Sequence, residues 1–376
     1  MKALFLIFHG FEEFNGISKK IRYQVKALQE CGLDVRTCYL SEENGHKRRM
    51  IDKEVLEDYG SGFKSKILKR IEFGSIINYV KEQKVEFIYI RYDHNSNPFT
   101  INLMKRLHAC ETKIVIEIPT YPYDLEYKNL PLPYQRILLI DKCFREKFAN
   151  YAHRIVTFSN HKVIWKRPTI RISNGVDFDN IKLKQNINDT THELRLIGVA
   201  TIHPWHGFDR VIAGLVKYYT QEKKYKVNFH IIGYGVPEII ESYKKNIEEH
   251  NLQTHVFFHE GSFGEELDDQ FNKADMGIGS LARHRSGITN IKTLKNREYA
   301  ARGIPFVYSE TDDDFEQMPY ILKVSADETP IDIEKLIAFY HAVKWTPLEI
   351  RNSIINNLSW KKQMQKVIDE TFPSNP

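Results

Sequence analysis

Long apolar runs are missing from this chain of 376 residues. No stretch approaches the roughly eighteen residues that a membrane-spanning helix needs. The opening Leu4-Phe5-Leu6-Ile7-Phe8 is interrupted by His9-Gly10; it is too short for a signal-peptide core and predicts a first buried strand. Cysteine is scarce. Cys31, Cys38, Cys110 and Cys143 show no C-x-x-C spacing, which predicts reduced core residues of a cytosolic protein. No internal repeat or low-complexity tract occurs. Zinc-finger, RNA-recognition and helix-turn-helix patterns are lacking, so no nucleic-acid partner is expected. The acid run Asp312-Asp313-Asp314 is expected to be solvated, and neither a metal nor a cofactor is expected.

What is present reads as an α/β protein. Hydrophobic residues make up 42% and aromatic residues 12%, a globular composition, and the length exceeds what one core usually holds. Short apolar runs alternate with longer amphipathic ones, the signature of βα units around parallel sheets. Strands are predicted at 3–8, 35–39, 87–90, 114–118, 155–158 and 170–172, then at 194–199, 227–232, 256–259, 276–280, 304–308 and 321–324. The two series part near Ser173-Asn174-Gly175-Val176-Asp177. Two doubly wound domains are therefore expected: 1–173, with a C-terminal helix from about 356 packing back on it, and 174–355. A ligand would bind in the cleft outside the carboxyl ends of both sets of strands.

Charge is divided unevenly. Residues 1–174 hold 30 Lys and Arg against 20 Asp and Glu, the remainder 24 against 29, giving the overall +5. A basic first half fits an anionic membrane surface. Residues 63–73, from Phe63 through Lys64, Lys66, Lys69 and Arg70 to Phe73, alternate apolar and cationic side chains in a way that suits an interface; an ordinary surface helix with its apolar stripe on the core would read the same.

The most informative stretch is Leu294-Lys295-Asn296-Arg297-Glu298-Tyr299-Ala300-Ala301-Arg302-Gly303-Ile304-Pro305, followed by Phe306-Val307-Tyr308. It predicts a helix carrying one carboxylate, ending at a glycine and running into a buried strand. Glu298, five residues before Gly303 and seven before Pro305, resembles the second glutamate of the E-x7-E element of retaining GT-B glycosyltransferases of family 4. Asn290 stands where that family has its first glutamate. The Leu-Lys-x-Arg-Glu-Tyr variant and the segment Trp205-His206-Gly207-Phe208-Asp209-Arg210 both resemble a branch that builds bacterial cell-surface polysaccharides. The resemblance implies a GT-B fold, with two doubly wound Rossmann-like domains facing a cleft, and a nucleotide-sugar bound on the second. It also implies that Glu298 holds ribose or sugar hydroxyls.

A diphosphate needs backbone N–H groups or cations. Candidate donor-binding residues are Thr289, Asn290 and Ile291 in the loop before the Glu298 helix, and Asn15 and Gly16 after the first strand. Gly233 and the pair Ser262 and Phe263, each after a later strand, complete the set. Aligned on Gly207, the family's Arg and Lys positions are Thr201 and His206, so the charge must come from elsewhere. Arg283, Arg285, Lys292, Lys295 and Arg297 cluster around the loop, with Lys295 first choice because it lies one helical turn before Glu298. His203 and His206 could assist as hydrogen-bond donors, although a lone histidine is more often structural. On the acceptor side, strand ends carry Arg91, Asp93 and His94, and Glu117, Tyr121 and Tyr123, a pattern suited to sugar hydroxyls and ring faces. The expected catalytic set is Glu298, Lys295, Asp93 and Arg91.

These features predict a glycosyltransferase, cytoplasmic and peripheral to the inner face of the plasma membrane, and the resemblance implies that it is a retaining one. It would move a hexose from a UDP- or GDP-sugar to a lipid-linked or polysaccharide acceptor. Two other readings use the same fold: a GT-B subunit without catalysis that stabilises a partner, and a sugar-nucleotide epimerase.

Overall fold

The computed structural model describes residues 1–11, 16–124, 131–185, 192–262 and 264–373. These divide into two compact units, Met1–Ser173 with the segment from Trp360 onward, and Asn174–Ser359.

The first unit runs β1 (Lys2–Leu6), α1 (Gly16–Glu30), β2 (Asp34–Glu43), β3 (His46–Ile51), β4 (Glu54–Asp58), α2 (Gly62–Ile71), α3 (Gly74–Gln83), β5 (Phe87–Arg91), α4 (Pro98–His108), β6 (Lys113–Ile118), α5 (Leu132–Ala149), β7 (Arg154–Thr157), β8 (Val163–Ile164) and β9 (Arg167–Arg171). They form one sheet in the order β4-β3-β2-β1-β5-β6-β7-β9-β8. The pairings from β2 through β1, β5, β6 and β7 to β9 are parallel. Helices cover both faces, so the central strands β1 and β5 are buried on both sides. Leu4, Leu6, Ile88 and Ile90 bury into one core, and Ala3, Phe5, Phe87 and Tyr89 into another.

The second unit runs β10 (Glu193–Val199), α6 (Phe208–Tyr218), β11 (Lys226–Ile232), α7 (Pro237–Glu249), β12 (Val256–His259), α8 (Gly264–Lys273), β13 (Met276–Ile278), α9 (Leu294–Arg302), β14 (Phe306–Tyr308), β15 (Ile321–Lys323), α10 (Ile333–Ala342) and α11 (Pro347–Ile355). All its pairings are parallel, and the order β12-β11-β10-β13-β14-β15 is the 3-2-1-4-5-6 of a dinucleotide-binding fold. α9 ends where Gly303 turns to a φ of 75°, a left-handed conformation that favours glycine. Its last residue, Arg302, lies next to that cap. α12 (Trp360–Thr371) returns to the first unit, where Trp360, Met364 and Val367 join the core under β1 and α1. It starts four residues later than the predicted 356.

The β3–β4 hairpin was not predicted. Its residues are too charged for the apolar-run criterion, yet Asn44-Gly45 joins β2 to β3 with φ of 51° and 78°, the two-residue turn that such a pair favours. The last strands are shorter than predicted. Ile304, assigned to a strand, instead donates its N–H to the Tyr299 carbonyl at 2.9 Å and closes α9. The cysteines also depart from expectation: Cys38 is buried, Cys31 and Cys110 are half-buried, and Cys143 is exposed on α5.

Candidate functional site

In an open parallel sheet the ligand crevice lies where the strand order reverses. In the second unit that point is between β10 and β13. The segment after β10 forms a short 3-10 turn, Pro204–His206, and Gly207 follows with a φ of 66°. A Cβ on Gly207 would stand 2.9 Å from that of Leu281. The glycine thus lets the turn lie against the segment after β13, where Leu281 donates its N–H to the His206 carbonyl at 3.0 Å.

His206 is held from both sides. Its Nε2 lies 3.0 Å from the Thr201 carbonyl. A carbonyl only accepts, so Nε2 carries the proton and Nδ1 is left to accept. Lys295, in the first turn of α9, donates to that Nδ1 at 3.0 Å. Burial holds the imidazole well below its ordinary value, with Lys295 and Arg283 acting the same way. Burial also lowers Lys295 to about 7, helped by Arg283. The Arg283 guanidinium lies over the Trp205 ring at 5.5 Å, and that ring stacks on His203 at 4.2 Å. Three nitrogenous side chains, Arg283, Lys295 and His206, thus crowd the switch point.

Glu310, two residues past β14, completes the cluster and was not anticipated. It is 2% exposed, and neither carboxylate oxygen has a hydrogen-bond partner among the described residues. Burial raises its carboxyl to about 7, against the pull of Arg283 and Lys295. Its position at a strand's carboxyl end was the available sequence signal.

Several predicted donor-side residues are occupied otherwise. Arg297 is fully buried, donates to Asp312 Oδ1 at 2.9 Å and to the Thr293 and Asn174 carbonyls at 3.1 Å, and also meets Asp314. It is a bracket inside the core, and Asp312, expected to be solvated, is fully buried with it. Lys292 pairs with Asp314 at 3.3 Å. Arg285 pairs with Asp209 at 2.7 Å and donates to Glu328 at 2.9 Å. Glu298 lies on α9, and Arg302 donates twice to its Oε1, at 2.9 and 3.1 Å. Arg302 is held in turn by Asp268 at 2.8 Å. None of these contacts joins Glu298 to the Lys295 cluster.

The phosphate loop was expected to offer free amides. Instead the Ile291 N–H donates to the Thr311 carbonyl and the Thr289 carbonyl accepts from the Thr311 N–H, because residues 289–291 run beside 311 in a short bridge. Asn290 Oδ1 is buried without a partner among the described residues. Gly233 passes so near β10 that a Cβ would stand 1.9 Å from the Ala200 carbonyl oxygen; it is a close-approach glycine. Ser262 donates to the Glu260 carbonyl at 3.3 Å. Gly16 opens α1. Asn15 and Phe263 lie outside the described residues.

In the first unit the strand order reverses at β1 and β5, and a cavity of about 840 Å³ opens there, lined by His9, Gly10, Tyr39, Arg91, Asp93, His94 and Thr120 among others. Asp93 keeps solvent contact although it stands in the concave wall, and that surrounding raises its carboxyl against the pull of His9 and Arg91. His94 stacks on Tyr123 at 3.9 Å and burial pushes it down to about 4, so it is neutral. Tyr121 packs edge-on against His161.

Glu117 and Tyr123, expected to reach an acceptor, support the cavity from beneath. Glu117 is fully buried and accepts from Gln24 at 2.5 Å, Tyr89 at 2.5 Å and Arg91 at 2.6 Å, with Lys20 at 3.3 Å. Burial alone would raise its carboxyl, yet Lys20 and Arg91 bring it below the ordinary value. It therefore fixes Arg91 in the wall. Tyr123 donates to the buried Asp141 at 2.5 Å. Among the described residues no group of three or more His, Cys, Asp or Glu side chains could hold a metal ion, and no helix is long and apolar enough to cross a membrane.

No protein-family model matches the chain, and no curated protein matches it in sequence. Solved structures do match. Sucrose-phosphate synthase (tll1590) from Thermosynechococcus elongatus superposes with a TM-score of 0.67 at 13% identity, over 98% of both chains. Anabaena Alr3699/HepE in complex with UDP gives 0.64 at 11%, over 98% of this chain and 99% of that one. S. aureus TarM, in a mutant form with fondaparinux, alpha-GlcNAc-glycerol and UDP, gives 0.63 at 12%, over the whole of both chains. At these identities the likeness is one of fold: the chain has the GT-B fold, with two Rossmann-like domains.

Proposed function

We propose that this chain is a retaining glycosyltransferase that moves a hexose from a UDP- or GDP-sugar to a lipid-linked or polysaccharide acceptor in bacterial cell-surface glycan synthesis. The observation that carries the reading is the Lys295 amine bonded to His206 Nδ1 at 3.0 Å, beside Arg283, at the switch point of the second unit. A diphosphate placed there meets an arginine and an ammonium in a poorly hydrated site, where charge is worth most. Lys295 takes up the role left open by the neutral His206. UDP is the first donor base to try, since the HepE and TarM structures contain it.

The protein's share of the chemistry is positioning and charge stabilisation. Glu298 would hold a donor hydroxyl, while Arg91 and Asp93 orient the acceptor in the first unit's cavity. The leaving diphosphate would accept the acceptor's proton on the same face, which gives retention. No metal is required in this scheme. The enzyme would work at the inner face of the plasma membrane, in keeping with α2, which leaves Phe63 77% and Ile67 44% exposed beside Lys64 and Lys66.

The test is a thermal-shift screen across UDP- and GDP-hexoses, followed by turnover with the best binder and proton NMR of the new anomeric centre. A stabilising nucleotide sugar, release of the nucleoside diphosphate and a product with the donor's anomeric configuration are expected. Binding without turnover on any lipid or glycan acceptor would favour the non-catalytic subunit, and an inverted product would refute retention.

A further inference from the structure

Beside the first unit's main cavity lies a second of about 540 Å³, sharing His9, Asp93 and His94 with it. Its remaining wall holds Glu42 and several neutral polar groups, and two further sets of side chains. Lys47, Lys69 and Arg70 line it with cationic groups, and Phe8, Phe73, Ile137 and Ile140 with apolar ones.

The cations outnumber their partners. Lys47 pairs with Glu42 at 2.6 Å; Lys69 and Arg70 form no ion pair among the described residues, although Glu42 and Asp93 attract them from farther off. Lys69 is lowered by burial first and then by Lys47 and Arg70, with Glu42 opposing them, so the gathered like charges outweigh the carboxylate beside them. Such an arrangement costs free energy until an anion arrives.

The apolar part continues onto the surface. Ile137 and Ile140 are 40% and 51% exposed and stand three residues apart on α5, so they share a face. On α2, Phe63, Ile67 and Arg70 recur at i, i+4 and i+7, again one face, and Arg70 of that face lines the cavity. α4 packs against both α2 and α5, and Phe99 at its start is also exposed. Apolar side chains therefore leave the cavity mouth along two helices joined by a third.

We infer that this cavity binds the diphosphate head of a lipid-linked acceptor, with Lys69 and Arg70 on the phosphates and the lipid chain leaving along Ile137 and Ile140. The inference rests on the glycosyltransferase reading and names its acceptor class. The end shared with the main cavity, at Asp93 and His94, then receives the sugar that the lipid carries, so one molecule spans the apolar lip, the cations and the polar pocket. A polysaccharide alone would leave the cations and the apolar lip unused.

The test is calorimetry on the full chain with farnesyl diphosphate below its micellar concentration, inorganic pyrophosphate and farnesol. Farnesyl diphosphate is expected to bind at least tenfold tighter than either of the others. The pair Lys69→Gln and Arg70→Gln should weaken it at least tenfold, and the pair Ile137→Ser and Ile140→Ser should reduce it to the level of pyrophosphate while leaving pyrophosphate unchanged. These side chains are half-buried or exposed; should one pair fail to fold, the other decides.

Pyrophosphate binding as tightly as farnesyl diphosphate would identify a free-phosphate site and overturn the inference. Farnesol binding equally well, or variants that bind as the wild type does, would also overturn it. If farnesyl diphosphate binds as expected but no nucleotide sugar does, the lipid site stands and the transferase reading falls.

Discussion

Replacing Lys295 by Met removes the one ammonium bonded to His206 while keeping the length of the side chain. A hydrogen bond from a charged donor contributes about 1.5–3 kcal/mol, so the Kd for UDP should rise roughly ten- to hundredfold. Uridine lacks the diphosphate and should bind within about twofold of wild type. A second signature comes from the proton. The free site holds Lys295 near 7, whereas a bound diphosphate would keep it charged. Binding should therefore take up about half a proton at pH 7 and nearly a whole one at pH 8. Calorimetry in buffers of different ionisation heat measures this, and affinity should fall as pH rises above 7. The variant should take up none. Its thermal stability should hold or rise, since burying a methionine costs less than burying an amine. Equal losses for UDP and uridine, or no proton uptake by the wild type, would refute a phosphate role for Lys295.

Glu298→Ala should reduce transfer sharply and leave the fold intact, because Arg302 keeps Asp268; activity within about twofold of wild type would remove Glu298 from the donor site. Between pH 4.5 and 7 the folded chain keeps a proton on Glu310 that the unfolded chain has released, so stability falls as pH rises; between 7 and 10.5 the unfolded chain keeps one on Lys295 that the folded chain has lost, so stability rises. Urea melts should thus show a trough near neutral pH, a few kcal/mol deep at about 1.36 kcal/mol per unit, which is absent when Glu310→Gln and Lys295→Met are combined; a flat difference would count against both burials. Arg297→Met should cost on the order of 3–5 kcal/mol by leaving Asp312 buried and unpaired, and an unchanged urea midpoint would show that the bracket is dispensable. Replacing Phe63 and Ile67 by Ser together with Lys64 and Lys66 by Gln should release the protein from anionic vesicles without altering turnover on a soluble acceptor; unchanged sedimentation would place the membrane contact elsewhere.

The sequence by itself determined the alternation of buried strands and amphipathic helices. Solvent exclusion on both faces of a parallel sheet leaves an unmistakable apolar run, as in Leu4–Phe8 or Phe87–Ile90, and Gly303 marks the end of α9 because few other residues adopt its φ. The turn Asn44-Gly45 is a sequence signal as well, but the charged hairpin that it opens was not predicted. The fate of each charge was not legible. Lys295, Arg297 and Glu298 are neighbours on one helix, and side chains on one helix turn diverge by about 100° per residue. Lys295 therefore reaches His206 across the switch point, Arg297 is consumed by Asp312 in the core, and Glu298 turns to Arg302. Likewise Glu117 and Arg91 read alike as strand-end polar residues. Only the packing of α1, which brings Gln24 and Lys20 over the sheet, made the first a buried support and left the second in the cavity wall. Which polar group is spent inside the fold and which remains for a ligand depends on partners dozens of residues away, and only the tertiary structure decided it.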